Sequence, residues 1–154
     1  MKKIVAIGAS VLILFSIAFF AINHFYPYYV NWSINRYADE VKEGKISKDN
    51  ITLCSKITYD ETVNSKYISF YIIDEKSQKI CFECPDEWRL TDFKYLGFEK
   101  DSNNILVISA DTETYRYVYD GNSCKEEVHG SKQYIPDTQY CIINNLDTEW
   151  STPL

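Results

Sequence analysis

Hydrophobic and polar positions fall into two textures along the chain. From Ile4 to Ile22 the sequence reads IVAIGASVLILFSIAFFAI, nineteen positions without a charge, twelve of them Ile, Leu, Val or Phe. As a helix this run spans about 28 Å, close to the hydrocarbon thickness of a bilayer. Each such residue near the centre favours insertion by roughly 0.3–0.6 kcal/mol, so the pattern predicts a transmembrane helix. A band of aromatic residues comes next, in which Tyr26, Tyr28, Tyr29 and Trp32 suit the headgroup level. Lys2 and Lys3 flank the other end. Positive residues stay inside, which places the N-terminus in the cytoplasm and the rest across the membrane. A signal peptide cleaved after Ser16-Ile17-Ala18 is the competing reading. Phe19 to Ile22 carry the apolar run past that site, which favours an uncleaved anchor over residues 1–25. Both readings export the remainder of the chain.

After Pro27 the apolar positions keep helical steps. Tyr29, Trp32, Ile34, Tyr37 and Val41 recur at about every third or fourth residue, and Gly44 is a stop signal. A juxtamembrane helix is expected within 26–45, either continuous with the anchor or separate. From Asn50 the period becomes two. Ile51, Leu53, Ile57 and Tyr59 alternate with Thr52, Lys56 and Thr58. Further strands are predicted at 66–73, at 79–84 ended by Pro85, and at 93–98, 105–110, 115–120 and 140–144. Short polar links such as Asp74–Gln78 separate them. Six or seven strands so joined predict an antiparallel meander over 46–154, not βαβ units. The expected class is α+β, mainly β: an N-terminal transmembrane helix, a juxtamembrane helix and a small antiparallel β-meander domain.

Composition changes this picture little. The chain has 154 residues, room for one exported domain. Tyrosine is unusually frequent at 13 copies, which suits strands. The net charge of −6 becomes −8 once Lys2 and Lys3 are set aside. An acidic domain argues against nucleic acid as a partner, because phosphate binding needs a basic face. It is compatible with a cationic protein partner, although solubility alone also accounts for it.

All five cysteines, Cys54, Cys81, Cys84, Cys124 and Cys141, lie beyond the apolar run. In an oxidising compartment they predict two disulfides and a spare thiol. Cys124 with Cys141, or Cys54 with a later cysteine, would close a long loop. Cys81-Phe82-Glu83-Cys84 has the spacing of a dithiol redox site. Such sites need a lowered thiol pKa, however, and here Asp86 and Glu87 come next in a strand context. Odd separation also turns the two side chains to opposite faces of a regular strand. Structural cysteines are therefore the favoured reading. No zinc set is apparent, since only His24 and His129 could join the cysteines. No G-x-S-x-G, H-E-x-x-H or phosphate loop occurs, and neither a catalytic residue nor a cofactor is implied.

Tyr115, Tyr117 and Tyr119 share one face of a predicted strand. They form a candidate binding face or, as the domain's need for buried aromatics favours, part of its core. The functional expectation is a single-pass protein of the cytoplasmic (inner) membrane, its C-terminal domain periplasmic or extracellular. Its partners would be the lipid bilayer and a protein met by a non-catalytic binding domain, in one version an immunity-type domain. The alternatives are an envelope thiol-disulfide oxidoreductase using Cys81 and Cys84, and a structural accessory subunit of a membrane complex.

Overall fold

The computed structural model describes residues 2–109, 113–121, 123–127 and 134–146, with the side chains of residues 2–12, 30, 31, 33 and 34 outside that description. The chain forms two compact units, the first built on residues up to Glu40 and the second on Val41–Ser151.

The first unit is one helix, α1, Lys2–Glu40. It runs through Pro27 without a break, so the expected juxtamembrane helix is the same helix continued. It ends at Glu40 rather than near residue 45. Every large apolar or aromatic side chain described between Ile13 and Trp32 is at least half exposed, and together they cover all sides of the helix. Along one side, at four-residue steps, Phe20 stacks on His24 at a ring-centroid distance of 5.6 Å and His24 meets Tyr28 edge-on at 5.8 Å. Arg36 lies over Trp32 and pairs with Glu40 at 2.8 Å. Among the described residues no helix is long and apolar enough to cross a membrane. Residues 4–12, half of the apolar run, fall outside the described side chains.

The second unit is mainly β, with ten strands among the described residues, in two antiparallel sheets. The strands are β1 Lys45–Lys48, β2 Ile51–Asp60, β3 Ser65–Asp74, β4 Lys79–Glu83, β5 Trp88–Arg89, β6 Phe93–Glu99, β7 Ile105–Ser109, β8 Thr114–Tyr119, β9 Cys124–Glu127 and β10 Pro136–Asn144. The first sheet has the order β1-β2-β3-β4, and β5 pairs with β3 beyond the end of β4. The second has the order β10-β6-β7-β8-β9. Each sheet is thus a meander, with β10 returning to the far edge of the second.

Local chemistry accounts for the turns. Asp49 between β1 and β2 takes a left-handed φ of 54°, as do Asn64, Gln78 and Asp101 in later links. Short polar side chains tolerate that conformation best. Asp74 and Asp120 accept hydrogen bonds from the backbone amides of Ser77 and Ser123, holding two further turns. Three of these strands, β1, β5 and β9, fall outside the expected set. The juxtamembrane helix is expected to reach residue 45, but Lys45–Lys48 pair instead with Ile51–Cys54 through a two-residue link.

The core lies between the sheets. Phe70, Phe82 and Trp88 of the first sheet meet Tyr117 of the second at ring-centroid distances of 5.0, 6.0 and 6.4 Å. Leu53, Ile68, Ile72, Leu96, Phe98 and Ile105, all almost wholly buried, complete the layer. One side of the sandwich is closed by Lys48 at the tip of β1. Its ammonium donates to Asp137 at 3.1 Å and to the Ser102 carbonyl at 2.9 Å, and lies over the rings of Phe98 and Tyr140. Tyr95, fully buried, has its hydroxyl within hydrogen-bond distance of the Phe98 and Asp137 carbonyls, fastening the irregular first half of β10.

Candidate functional site: thiols and tyrosines between the sheets

The opposite side of the sandwich gathers most of the residues that the sequence marks for chemistry. β4 pairs with β3 in register at Ile73↔Ile80 and again at Ile72↔Phe82, so one extra residue, Cys81, is accommodated between them. Such a bulge upsets the alternation of side chains. Cys81 and Cys84 therefore do not fall on opposite faces, as a regular strand would dictate. Cys81 donates to the Ile72 carbonyl at 3.4 Å, and the Tyr119 hydroxyl, which Cys81 influences, donates to the Gly121 carbonyl at 3.0 Å. Cys84, whose amide bonds the Phe70 carbonyl at 2.9 Å, sits opposite Phe70 and reaches the Tyr117 hydroxyl. Pro85 then ends the ladder, and Asp86 turns inward to accept from Tyr117 at 3.0 Å. Cys124 arrives from β9, where its ladder partner is Tyr119.

Burial governs the electrostatics here. Cys84 is 6% exposed, and desolvation pushes its thiol up to about 11. Cys124 is pushed up to about 12 by burial first, then by the charges of Cys81 and Asp120. Tyr117 is raised by burial, by Cys84 and by Asp86, and Tyr119 is raised to about 12 by burial and by Cys81. A nucleophilic dithiol needs the reverse shift. Cys84, Cys124, Tyr117 and Tyr119 instead hold their protons more tightly than free side chains do.

The other sequence candidates lie elsewhere or are spent on packing. Tyr117 is only 1% exposed, and Tyr115 packs edge-on to Trp88 at 5.2 Å, with Tyr119 at the rim. Tyr115 and Tyr117 take part in inter-sheet packing, and Tyr115 and Tyr119 keep part of their surface exposed. All five cysteines are thiols. Cys124 and Cys141 lie on the two opposite edges of one five-stranded sheet, four ladder steps or about 19 Å apart. A disulfide tolerates about 4.4–6.8 Å between Cα atoms, so that pairing is ruled out. Cys54 pairs with Tyr71 on the face of β2 away from Leu53, whereas Cys84 lies on the face of Phe70. Among the described residues no group of three or more His, Cys, Asp and Glu side chains is placed to hold a metal ion. His129 lies outside the described residues. Tyr26, Tyr28, Tyr29 and Trp32 project from α1, each half exposed or more.

Two features escape a reading of the sequence because they join distant segments. Arg116 binds Glu99 at 2.9 Å and also Glu127, with Tyr134 stacked beneath its guanidinium. A groove of about 640 Å³ beside the β2–β3 hairpin is lined by Thr58, Tyr59, Asp60, Glu61, Tyr67 and Glu87. Its walls carry three carboxylates and two tyrosine rings. Lys66 and Arg89 stand across the ladder from Tyr59 and Tyr67 and temper that charge. Hydrogen bonds from the side chain and backbone of Thr62 hold the Asp60 carboxyl below its ordinary value.

Comparison with protein-family models, with curated proteins and with solved structures finds no match to this chain.

Proposed function

We propose that this chain is a single-pass membrane-anchored envelope protein whose second unit is a displayed, non-catalytic binding domain. The observation that carries the reading is the surface of α1. A helix apolar on all sides belongs in a protein core or a bilayer, and one facing a single core would show an apolar stripe instead. The large apolar and aromatic side chains described from Ile13 to Trp32 lie on all sides of α1, each at least half exposed. The proposal seats Ile4 to Ile22 in the bilayer, with the tyrosines and Trp32 at its outer surface and the β domain beyond. The domain's acidic, tyrosine-lined groove supports a cationic partner, because carboxylates and ring faces both attract cations.

Alkaline carbonate extraction of cells expressing the full chain tests the anchor. The protein is expected to remain with the membrane pellet, with its β domain open to protease added outside spheroplasts. Quantitative release into the carbonate supernatant, or a mature N-terminus at Phe19, would sink the anchor. For the groove, the double charge reversal Glu61→Lys with Glu87→Lys should abolish retention of the native partner in pull-downs from solubilised envelopes. The same charge change at Asp92 and Asp101 should not, and equal loss from both variants would refute a site in the groove.

A further inference from the structure

Four links meet at one end of the sandwich: β1–β2 and β3–β4 from the first sheet, β6–β7 and β8–β9 from the second. The pairings Ile51↔Asp74 and Ile105↔Tyr117 bring the links of each sheet level with one another. Between the two sets lies a cleft of about 480 Å³, lined by Asn50, Asp74, Lys76, Asn103, Tyr119 and Gly121 together with the buried Ile51. Small-molecule sites span about 300–1,000 Å³. We propose that this cleft binds a neutral pyranose sugar, with adjacent sugar hydroxyls bonded by the two carboxamides and the sugar ring laid against Tyr119.

The walls are fixed without a ligand. The Glu75 amide donates to the Asn50 carbonyl at 2.9 Å and the Thr52 hydroxyl to the Glu75 carboxylate at 2.9 Å, which ties the β3–β4 link to the start of β2. The Ser77 amide donates to Asp74 Oδ2 at 3.0 Å. Across the cleft the Tyr119 hydroxyl donates to the Gly121 carbonyl at 3.0 Å, and the Tyr119 amide reaches Asn104 Oδ1 at 3.3 Å. The polar groups between these ties are left over. Asn104 spends its amide on Glu99 and its oxygen on Tyr119. Its neighbour Asn103 and, opposite, Asn50 have no hydrogen-bond partner for their carboxamides among the described residues. A rigid cleft with unspent donors and acceptors loses little freedom when a ligand enters.

The lining selects the chemistry of the ligand. A carboxamide offers both donors and an acceptor, and a sugar hydroxyl needs one of each. Asp74 keeps acceptor sites beyond the one used by Ser77, because a carboxylate has about four. Charge is balanced, with Asp74 facing any anion and Lys76 any cation, so an uncharged polar ligand meets no uncompensated charge. A divalent metal is not served either, since no group of three or more His, Cys, Asp and Glu side chains gathers among the described residues. Tyr119 is half-buried, and the bond to Gly121 holds its ring in place for stacking.

This site is separate from the acidic groove. The groove flanks the Asp60 end of β2 and the cleft its Ile51 end, about 30 Å apart along a ten-residue strand. The test is amide NMR on the full chain in micelles of a detergent without a sugar or phosphate headgroup. Methyl α-glucoside, methyl α-galactoside and N-acetylglucosamine are titrated singly, with inorganic phosphate as the anionic comparison. At least one sugar should shift the amides of Asn50, Asn103 and Gly121 saturably, with a Kd of about 1 mM. Asn50→Ala and Asn103→Ala should each weaken that binding about three- to tenfold. Neither removes a hydrogen bond of the fold, and an unchanged spectrum away from the cleft verifies this. Glu61→Lys with Glu87→Lys should leave sugar binding intact, so failure of the groove and failure of the cleft are read apart. No saturable shift with any of the three sugars, undiminished binding by both Asn variants, or a larger response of the same amides to phosphate would overturn the proposal.

Discussion

At the scale of single residues, the domain depends on buried hydroxyls and thiols that stay protonated. Tyr117, Tyr119, Cys84 and Cys124 all have raised pKa values, with burial as the first cause in each. The folded state therefore retains protons that the unfolded chain gives up near the ordinary values of 9.0 for Cys and 10.0 for Tyr. Their contribution is complete below those values and is lost as pH rises through them toward the folded-state values. Glu99 has the opposite sign. Burial pushes its carboxyl up, but hydrogen bonds from Asn104, Arg116 and Ser102 outweigh this and hold it below the ordinary 4.5. Its contribution is present above that value and fades as pH falls. The urea midpoint of unfolding should thus be flat near neutrality and decline on both sides, and a midpoint still rising above pH of about 10 would contradict this account. Tyr117→Phe removes the hydroxyl that donates to Asp86 and should cost about 1 kcal/mol by the same measurement. Tyr117→Ala, which also empties the ring site, should cost about 3–5 kcal/mol. The sequence showed that Tyr117 would be on an aromatic face, since alternation suffices for that. It did not show Asp86 or Cys84 as its partners, because those contacts are made across the gap between two sheets.

At the scale of elements, close approach of β10 to β6 requires Gly97. A Cβ there would meet the Cys141 Cβ at 2.6 Å and its Cα at 2.7 Å, with the Tyr95 hydroxyl also 2.6 Å away. Gly97→Ala should destabilise the domain by about 1–3 kcal/mol, and hydrogen exchange should show β10 opening before β7. An unaltered exchange pattern would mean that β10 shifts at little cost. Removing Arg116 as Arg116→Met leaves Glu99 without its charged donor and should cost about 1.5–3 kcal/mol in denaturant unfolding. Long strands such as β2, β3 and β6 were legible because several buried residues recur along them. β1 and β9 were not. Lys45-Ile-Ser-Lys and Cys124-Lys-Glu-Glu each offer one apolar residue, and both are edge strands paired on a single side within their sheets. Their conformation is dictated by a neighbour, not by their own pattern. The bulge at Cys81 was hidden for the same reason, since a register shift exists only relative to a partner strand.

At the scale of the molecule, the chain joins two units with different demands on solvent. The sequence expressed this division clearly, because a charge-free run and a period-two pattern cannot be confused. Its boundary fell a few residues early in the structure, at Glu40, where the helix ends and the first unit with it. Ile17→Lys would set a charge within the proposed span at a cost of about 2.5–3.5 kcal/mol if near the bilayer centre. The fraction of protein resistant to carbonate should fall accordingly, whereas Asn35→Lys, beyond the aromatic band, should leave it unchanged. Equal behaviour of the two variants would argue that the apolar run does not set the location. The junction between the units has a mechanical consequence. Only Val41 to Gly44 separate the end of α1 from β1, a four-residue edge strand whose first pair is Lys45↔Cys54. Tension applied through the helix meets first the bonds of Glu43 and Gly44 to Ile57 and Ser55, then that pair, and loads the β1–β2 ladder one rung at a time. β1 should peel away and release Lys48 from Asp137 well before the aromatic layer yields, so a pulled molecule would extend in two steps, the smaller first.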